Sequence, residues 1–129
     1  MDLDLTGKTV IVTGGSGGIG HGLLLEFAKE GCNVISASRD VATGEKIAAR
    51  ARDAGCPGTI LPVGTDITDR ASVDAMVAVA HDRFGLIDVL VNNAGGVASV
   101  GPFEEMDEAA RKWEIDLNIN GVVNCTQAV

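Results

Sequence analysis

The strongest constraint on the fold is a regular alternation of short apolar runs with longer segments of helical period. Lys8 to Thr13 (K-T-V-I-V-T) is a β-branched run that ends in glycines and reads as a buried strand. Ile19, Leu23 and Phe27 then recur at helical spacing up to Glu30, with Gly31 as the stop. Asn33 to Ser38 is a second strand, and Asp40 is placed to cap a helix reaching about Ala54. Thr59 to Val63 is a third strand, and its Pro62 suits an edge position. Thr68 and Asp69 open a helix whose apolar face is Val73, Met76, Val77, Ala80 and Phe84, closed by Gly85. Asp88 to Asn92 is a fourth strand. One long helix is expected from about Asp107 to the end of the sequence, carrying Trp113, Leu117 and Val122. This order predicts an α/β fold: a doubly wound, Rossmann-type parallel sheet with helices on both faces. The expected strand order is 3-2-1-4, which leaves the fourth strand as an apolar edge.

Length and composition agree with one domain over residues 1–129, since 46% of residues are hydrophobic and a core can form. The formal net charge of −8 disfavours nucleic acid and anionic membranes as partners. No apolar run approaches the roughly 18 residues needed to span a bilayer. The first residues, Met1-Asp2-Leu3-Asp4-Leu5, lack the basic and apolar regions of a signal peptide. Cys32, Cys56 and Cys125 are odd in number and widely spaced, which fits neither a disulfide framework nor a metal site. The expectation is a cytoplasmic protein with reduced thiols and no bound metal.

Between the first strand and the first helix lies Thr13 to Gly20, T-G-G-S-G-G-I-G. Two registers fit. Gly15, Gly17 and Gly20 match G-x-G-x-x-G, whereas Gly14, Gly18 and Gly20 match T-G-x-x-x-G-x-G. Either lets the chain turn tightly, approach a pyrophosphate and pack helix against strand. The helix N-terminus adds free N–H groups and partial positive charge. A Walker-type loop is excluded because no Gly-Lys-Ser/Thr follows.

Further signatures appear downstream in a fixed order: Asp66 in D-I-T-D, Asn92-Asn93-Ala94-Gly95 after D-V-L-V, and Asn118 in D-L-N-I-N-G. Together with the second glycine register, these resemble the short-chain dehydrogenase/reductase family along essentially the whole chain. The resemblance implies NAD(P)-dependent interconversion of a secondary alcohol and a ketone, with a small-molecule substrate and a homotetramer or homodimer as the full-length form. Gly14, Gly18 and Gly20 then resemble the cofactor-loop glycines, with Ser16 and Ile19 along the phosphate path. Asp66 resembles the carboxylate that accepts the adenine amino group, with Ile67 beside it. Asn92 resembles the residue that ties the central strands and borders the cofactor ribose. Ala94 and Gly95 give the backbone room beside ribose and nicotinamide. Asn118 resembles the asparagine of the catalytic tetrad, which holds a kinked helix and a water.

The end of the second strand discriminates between cofactors. An acid there binds both ribose hydroxyls and repels a 2′-phosphate, and an arginine attracts it. Ser38 occupies the position of the acid and Arg39 follows, so NADP is expected, with NAD as the alternative. Asp40 next door and Gly17, where many NADP-dependent relatives carry a second cation, argue the other way. The family's Ser and its Tyr-x-x-x-Lys are expected beyond Val129, and the chain contains no Tyr. The 129 residues therefore read as an incomplete, N-terminal portion of such an enzyme, with a non-catalytic dinucleotide-binding module as the alternative.

Overall fold

Strand β1 (Thr9–Thr13) lies at the centre of the sheet and is buried along its whole length. Such burial suits an uninterrupted run of β-branched residues, which must satisfy apolar surroundings on both sides. Val10 and Val12 enter one core and Ile11 the other, as the two-residue period of a strand requires. The structure is a computed structural model that describes residues 2–129. Its elements follow in the order α1 (Ile19–Lys29), β2 (Asn33–Ser38), α2 (Val41–Asp53), β3 (Thr59–Gly64), α3 (Arg70–Phe84), β4 (Val89–Val91), α4 (Glu108–Ile115) and α5 (Gly121–Ala128).

The four strands are all parallel and lie in the order β3-β2-β1-β4. On one face, Leu24 and Ala28 of α1 and Ile47, Ala48 and Ala51 of α2 pack on Val10, Val12 and Val34. On the other, Val73, Met76, Val77 and Ala80 of α3 and Cys125 of α5 pack on Ile11, Ile35 and Ala37. The doubly wound architecture expected from the alternation is present, and Pro62 sits on an edge strand. No helix among the described residues is long and apolar enough to cross a membrane.

Several boundaries differ from the expectation. Lys8 and Asp88 lie just outside their strands, where the Asp88 carboxylate accepts the Thr9 N–H at 2.8 Å. Asp69 is not helical but caps α3, accepting the Ala71 N–H at 3.0 Å. The long C-terminal helix is interrupted: a π-helical turn, Asp116–Asn120, separates α4 from α5. A side chain inserted beside the helix provides the reason. Asn118 Nδ2 donates to the Glu114 carbonyl at 2.9 Å and to the Gly96 carbonyl at 2.8 Å, which widens the turn toward the loop after β4.

Candidate functional site

A cleft of about 810 Å³ opens at the carboxyl ends of the strands. It lies where the strand order reverses between β1 and β4, the position at which open α/β sheets bind ligands. The loop between β1 and α1 forms its floor. Gly14 takes φ +67°, and a Cβ there would sit 2.7 Å from Ala94 Cα, so the glycine lets the ends of β1 and β4 meet. Gly18 takes φ +51°, and a Cβ there would meet nothing within 4 Å. It faces open space, as a loop approached by a ligand must. Gly18 is also the N-cap of α1 and supplies no side chain to that helix end. The Gly20 N–H is donated to the Gly17 carbonyl at 3.0 Å, but the N-terminus of α1 has no side-chain cap, which leaves its end open to an anion.

The structure brings most of the sequence-predicted residues to this cleft: Gly14, Ser16, Gly18, Ile19, Ser38, Arg39, Asp66, Ile67, Ala94 and Gly95 all line it. Ser38 Oγ donates to Ser16 Oγ at 2.7 Å, joining the glycine loop to the end of β2. Ile19 is 78% exposed, an apolar side chain lying open on the cleft wall. Arg39 enters none of the ion pairs among the described residues. Asp40 also lines the cleft, but its carboxylate is engaged: Oδ1 accepts the Thr43 N–H at 3.0 Å and Oδ2 the Thr43 hydroxyl at 2.6 Å. These bonds hold its carboxyl below the ordinary carboxylate range. Asp66 is held low in the same way, first by the Thr68 hydroxyl and N–H and then by the nearby Arg39 guanidinium. Both Thr68 bonds fall on Oδ1, at 2.7 and 3.0 Å.

Three predicted residues lie elsewhere. Gly20 sits behind the loop, where a Cβ would be 2.3 Å from the Gly14 carbonyl oxygen. Its part is close packing of α1 against the loop. Asn118 stays off the cleft and holds the loop after β4, accepting the Gly96 N–H at 3.0 Å as well as donating back to that residue. Asn92 requires a correction. Its amide donates to Thr126 Oγ1 of α5 at 3.2 Å, outside the cleft. The tie between central strands belongs to Asn93, whose Nδ2 donates to the carbonyls of Thr13 and Gly14, each at 3.1 Å. The two-residue period contains the signal: Asn93 follows Val89 and Val91 toward α1, and Asn92 follows Leu90 toward α5.

Trp113, Asp116 and Leu117 form a wall of the cleft that the sequence patterns left unassigned. A Cβ on Gly96 would lie 3.0 Å from the Trp113 ring and 3.1 Å from Leu117, so the loop after β4 presses directly on this helix face. The helical spacing of Trp113 and Leu117 shows a shared face, but not that the face borders a cleft.

A doubly wound sheet with a glycine-floored cleft at its switch point defines the class: a Rossmann-type nucleotide-binding fold. Within that class the sequence matches the short chain dehydrogenase family over residues 8–129, and the chain belongs to that family. It is 45% identical over 126 residues to oxidoreductase UcpA of Salmonella typhimurium, covering 97% of this chain and 46% of that protein. It is 38% identical over 125 residues to 11-beta-hydroxysteroid dehydrogenase A of Sesamum indicum, covering 96% and 35% respectively. Among solved structures, the 3-ketoacyl-(acyl-carrier-protein) reductase from Brucella melitensis, complexed with NADH, superposes with a TM-score of 0.86 at 36% identity, over 95% of this chain and 49% of that one. A short-chain type dehydrogenase/reductase from Mycobacterium marinum gives 0.90 at 34%, over 99% and 52%. The chain thus spans about half the length of these structures and less than half of these two relatives.

Proposed function

We propose that the chain binds NADP(H) in preference to NAD(H) and forms the cofactor-binding part of an enzyme interconverting a secondary alcohol and a ketone, 3-oxoacyl thioesters being one such ketone class. The observation that carries the cofactor choice is the pairing of an uncommitted Arg39 with a committed Asp40 at the mouth of the cleft. Arg39 forms no salt bridge among the described residues, and the adjacent Asp40 is occupied in capping α2. A charge-assisted bond to a 2′-phosphate is worth about 1.5–3 kcal/mol, roughly 10- to 150-fold in affinity, with the lower end appropriate to an exposed arginine.

The remaining roles are those the family resemblance implies, and the lining of the cleft supports them. The open faces of Gly17 and Gly18 and the uncapped end of α1 would receive the pyrophosphate. Asp66 Oδ2 makes no bond to Thr68 and would be left to accept from the adenine amino group, with Ile67 beside the ring. Ala94 and Gly95 would border ribose and nicotinamide. The cofactor, when bound, would supply or accept a hydride. Asn118 acts on that end through the Gly95–Gly96 backbone. The full-length protein is proposed as a soluble cytoplasmic homotetramer or homodimer, paired through the C-terminal helices, where Ile115, Ile119 and Val123 are 44%, 57% and 47% exposed. Light scattering on that protein checks the assembly. The second reading, a dinucleotide-binding module without catalysis, draws on the absence of any Tyr.

Titration of NADPH and NADH into the wild-type chain and Arg39→Ala tests the cofactor reading, with the single Trp113 as fluorophore. The expected result is tighter NADPH binding in the wild type and its loss in the variant, with NADH little changed. Equal NADPH affinity in the two proteins removes Arg39 from the account.

A further inference from the structure

The loop from Gly95 to Pro102 runs from the cleft lining toward α4, and little in its own sequence holds it in place. Three of its residues are glycines, Gly95, Gly96 and Gly101, each of which adds conformational freedom to the unanchored chain. Its larger apolar side chains do not bury themselves: Val97 is 68% and Val100 97% exposed. Hydrophobic contact therefore cannot fix the middle of this loop, and polar anchors must.

Two are present. Asn118 grips Gly96 by its N–H and its carbonyl. Glu114, one turn earlier on α4, accepts the Ala98 N–H at 2.8 Å on Oε1, with the Ser99 N–H at 3.5 Å from the same oxygen. Glu114 enters no ion pair among the described residues. Its negative charge is thus directed at loop amides rather than at a cation, and an ionised acceptor makes the stronger kind of hydrogen bond. Its own carbonyl accepts the Asn118 amide at 2.9 Å, so the two anchors share one helical turn.

We propose that Glu114 is a positioning residue for the substrate-side loop: through Ala98 it holds the Gly95–Gly96 backbone against Trp113 and Leu117 and so keeps the cleft wall in shape. The consequence for ligands rests on the cofactor reading above, whereas the anchoring itself does not. Helix propensity runs the other way, because Ala is a better helix former than Glu. Loosening in Glu114→Ala would therefore not come from a weakened α4.

Hydrogen exchange on the 129-residue chain tests this segment by segment. In Glu114→Ala, the amides of Ala98 and Ser99 are expected to exchange roughly tenfold faster, while those of β1 and β2 keep their wild-type rates. Glu114→Gln, which retains an acceptor oxygen, should recover most of the protection. Glu108→Ala, on the same helix but paired with Lys112, should leave the loop as in the wild type. Acrylamide quenching of Trp113 should rise in Glu114→Ala and fall back in Glu114→Gln. NADPH affinity should follow the same order. If Glu114→Ala does not fold, Glu114→Asp, one methylene too short for the contact, carries the same comparison against Glu114→Gln. Unchanged exchange in the loop, or an equal rise in β1 and β2, overturns the proposal. Failure of the wild-type chain to bind NADPH would instead remove the cofactor reading and leave the exchange result standing.

Discussion

The Thr13 hydroxyl accepts the N–H groups of both Asn93 and Ala94, each at 3.1 Å, and Asn93 returns its side-chain amide to the Thr13 carbonyl at 3.1 Å. The ends of β1 and β4 are thereby locked together directly behind the glycine loop. The adjacent Asn92 reaches only an exposed threonine on α5. Asn93→Ala should therefore cost about 1–3 kcal/mol, because it strips bonds from part-buried carbonyls. Asn92→Ala should stay within about 0.5–1 kcal/mol. Urea unfolding of the two variants side by side decides, and equal midpoints would dissolve the distinction.

The loop glycines separate into two kinds by what a side chain would meet. At Gly20 an added Cβ falls 2.3 Å from the Gly14 oxygen and 2.9 Å from Gly15 Cα, both backbone atoms that cannot swing away. Gly20→Ala should lower stability by about 1–3 kcal/mol or more. At Gly18 the space is open and the cost is a positive-φ backbone (φ +51°, ψ −126°) that residues with a Cβ rarely adopt, about 1–3 kcal/mol. Gly18→Val should fold yet lose cofactor, since its side chain projects where the pyrophosphate would lie. Thermal melts with NADPH titration separate the two effects. A folded Gly18→Val that binds normally would reduce the loop to a turn.

Much of this was legible because the fold writes itself in periodicities. The β-branched runs gave the strands and Gly31 and Gly85 the helix ends, and the glycine loop placed the cleft. Errors arose where a side chain overrides the local pattern. The interruption at Asp116–Asn120 depends on Asn118 bonding to a loop 22 residues away in sequence, a contact that no helical period contains. Asn92 and Asn93 are chemically identical, and only the direction of the strand pleat distinguishes them. Trp113 borders the cleft because Gly96 lacks a side chain, and that relation exists only in three dimensions.

Acid should weaken the chain in part through Asp66. The bonds from Thr68 stabilise its carboxylate and depress its pKa in the folded state. The linked stability is present above the unfolded value, about 4, and is lost as pH falls through the lower folded value. Asp40 contributes in the same direction through Thr43. Denaturant midpoints between pH 6 and pH 2 (roughly the range bracketing an ordinary carboxylate) should fall more steeply in the wild type than in Asp66→Asn. Parallel curves would show that the Thr68 contacts carry no linkage.

The chain of 129 residues is expected to bind cofactor but not to turn over a ketone. Hydride delivery to a carbonyl leaves an alkoxide unless a proton arrives with it, and general acid help typically contributes about 10²–10⁴-fold. The chain has no Tyr to supply that proton. Asp66 belongs with Ile67 and Thr68 at the proposed adenine end of the cleft. Asp40 is engaged with Thr43, and Asp116 Oδ1 accepts the Asn120 amide at 2.7 Å. Asn118 has no acidic proton, and its amide is spent on Gly96 and Glu114. The assay is loss of reduced-cofactor absorbance with NADPH and a panel of ketones and 3-oxoacyl thioesters. Turnover that survives repurification and disappears in Asn118→Ala would overturn the expectation and place an unassigned proton donor in the cleft.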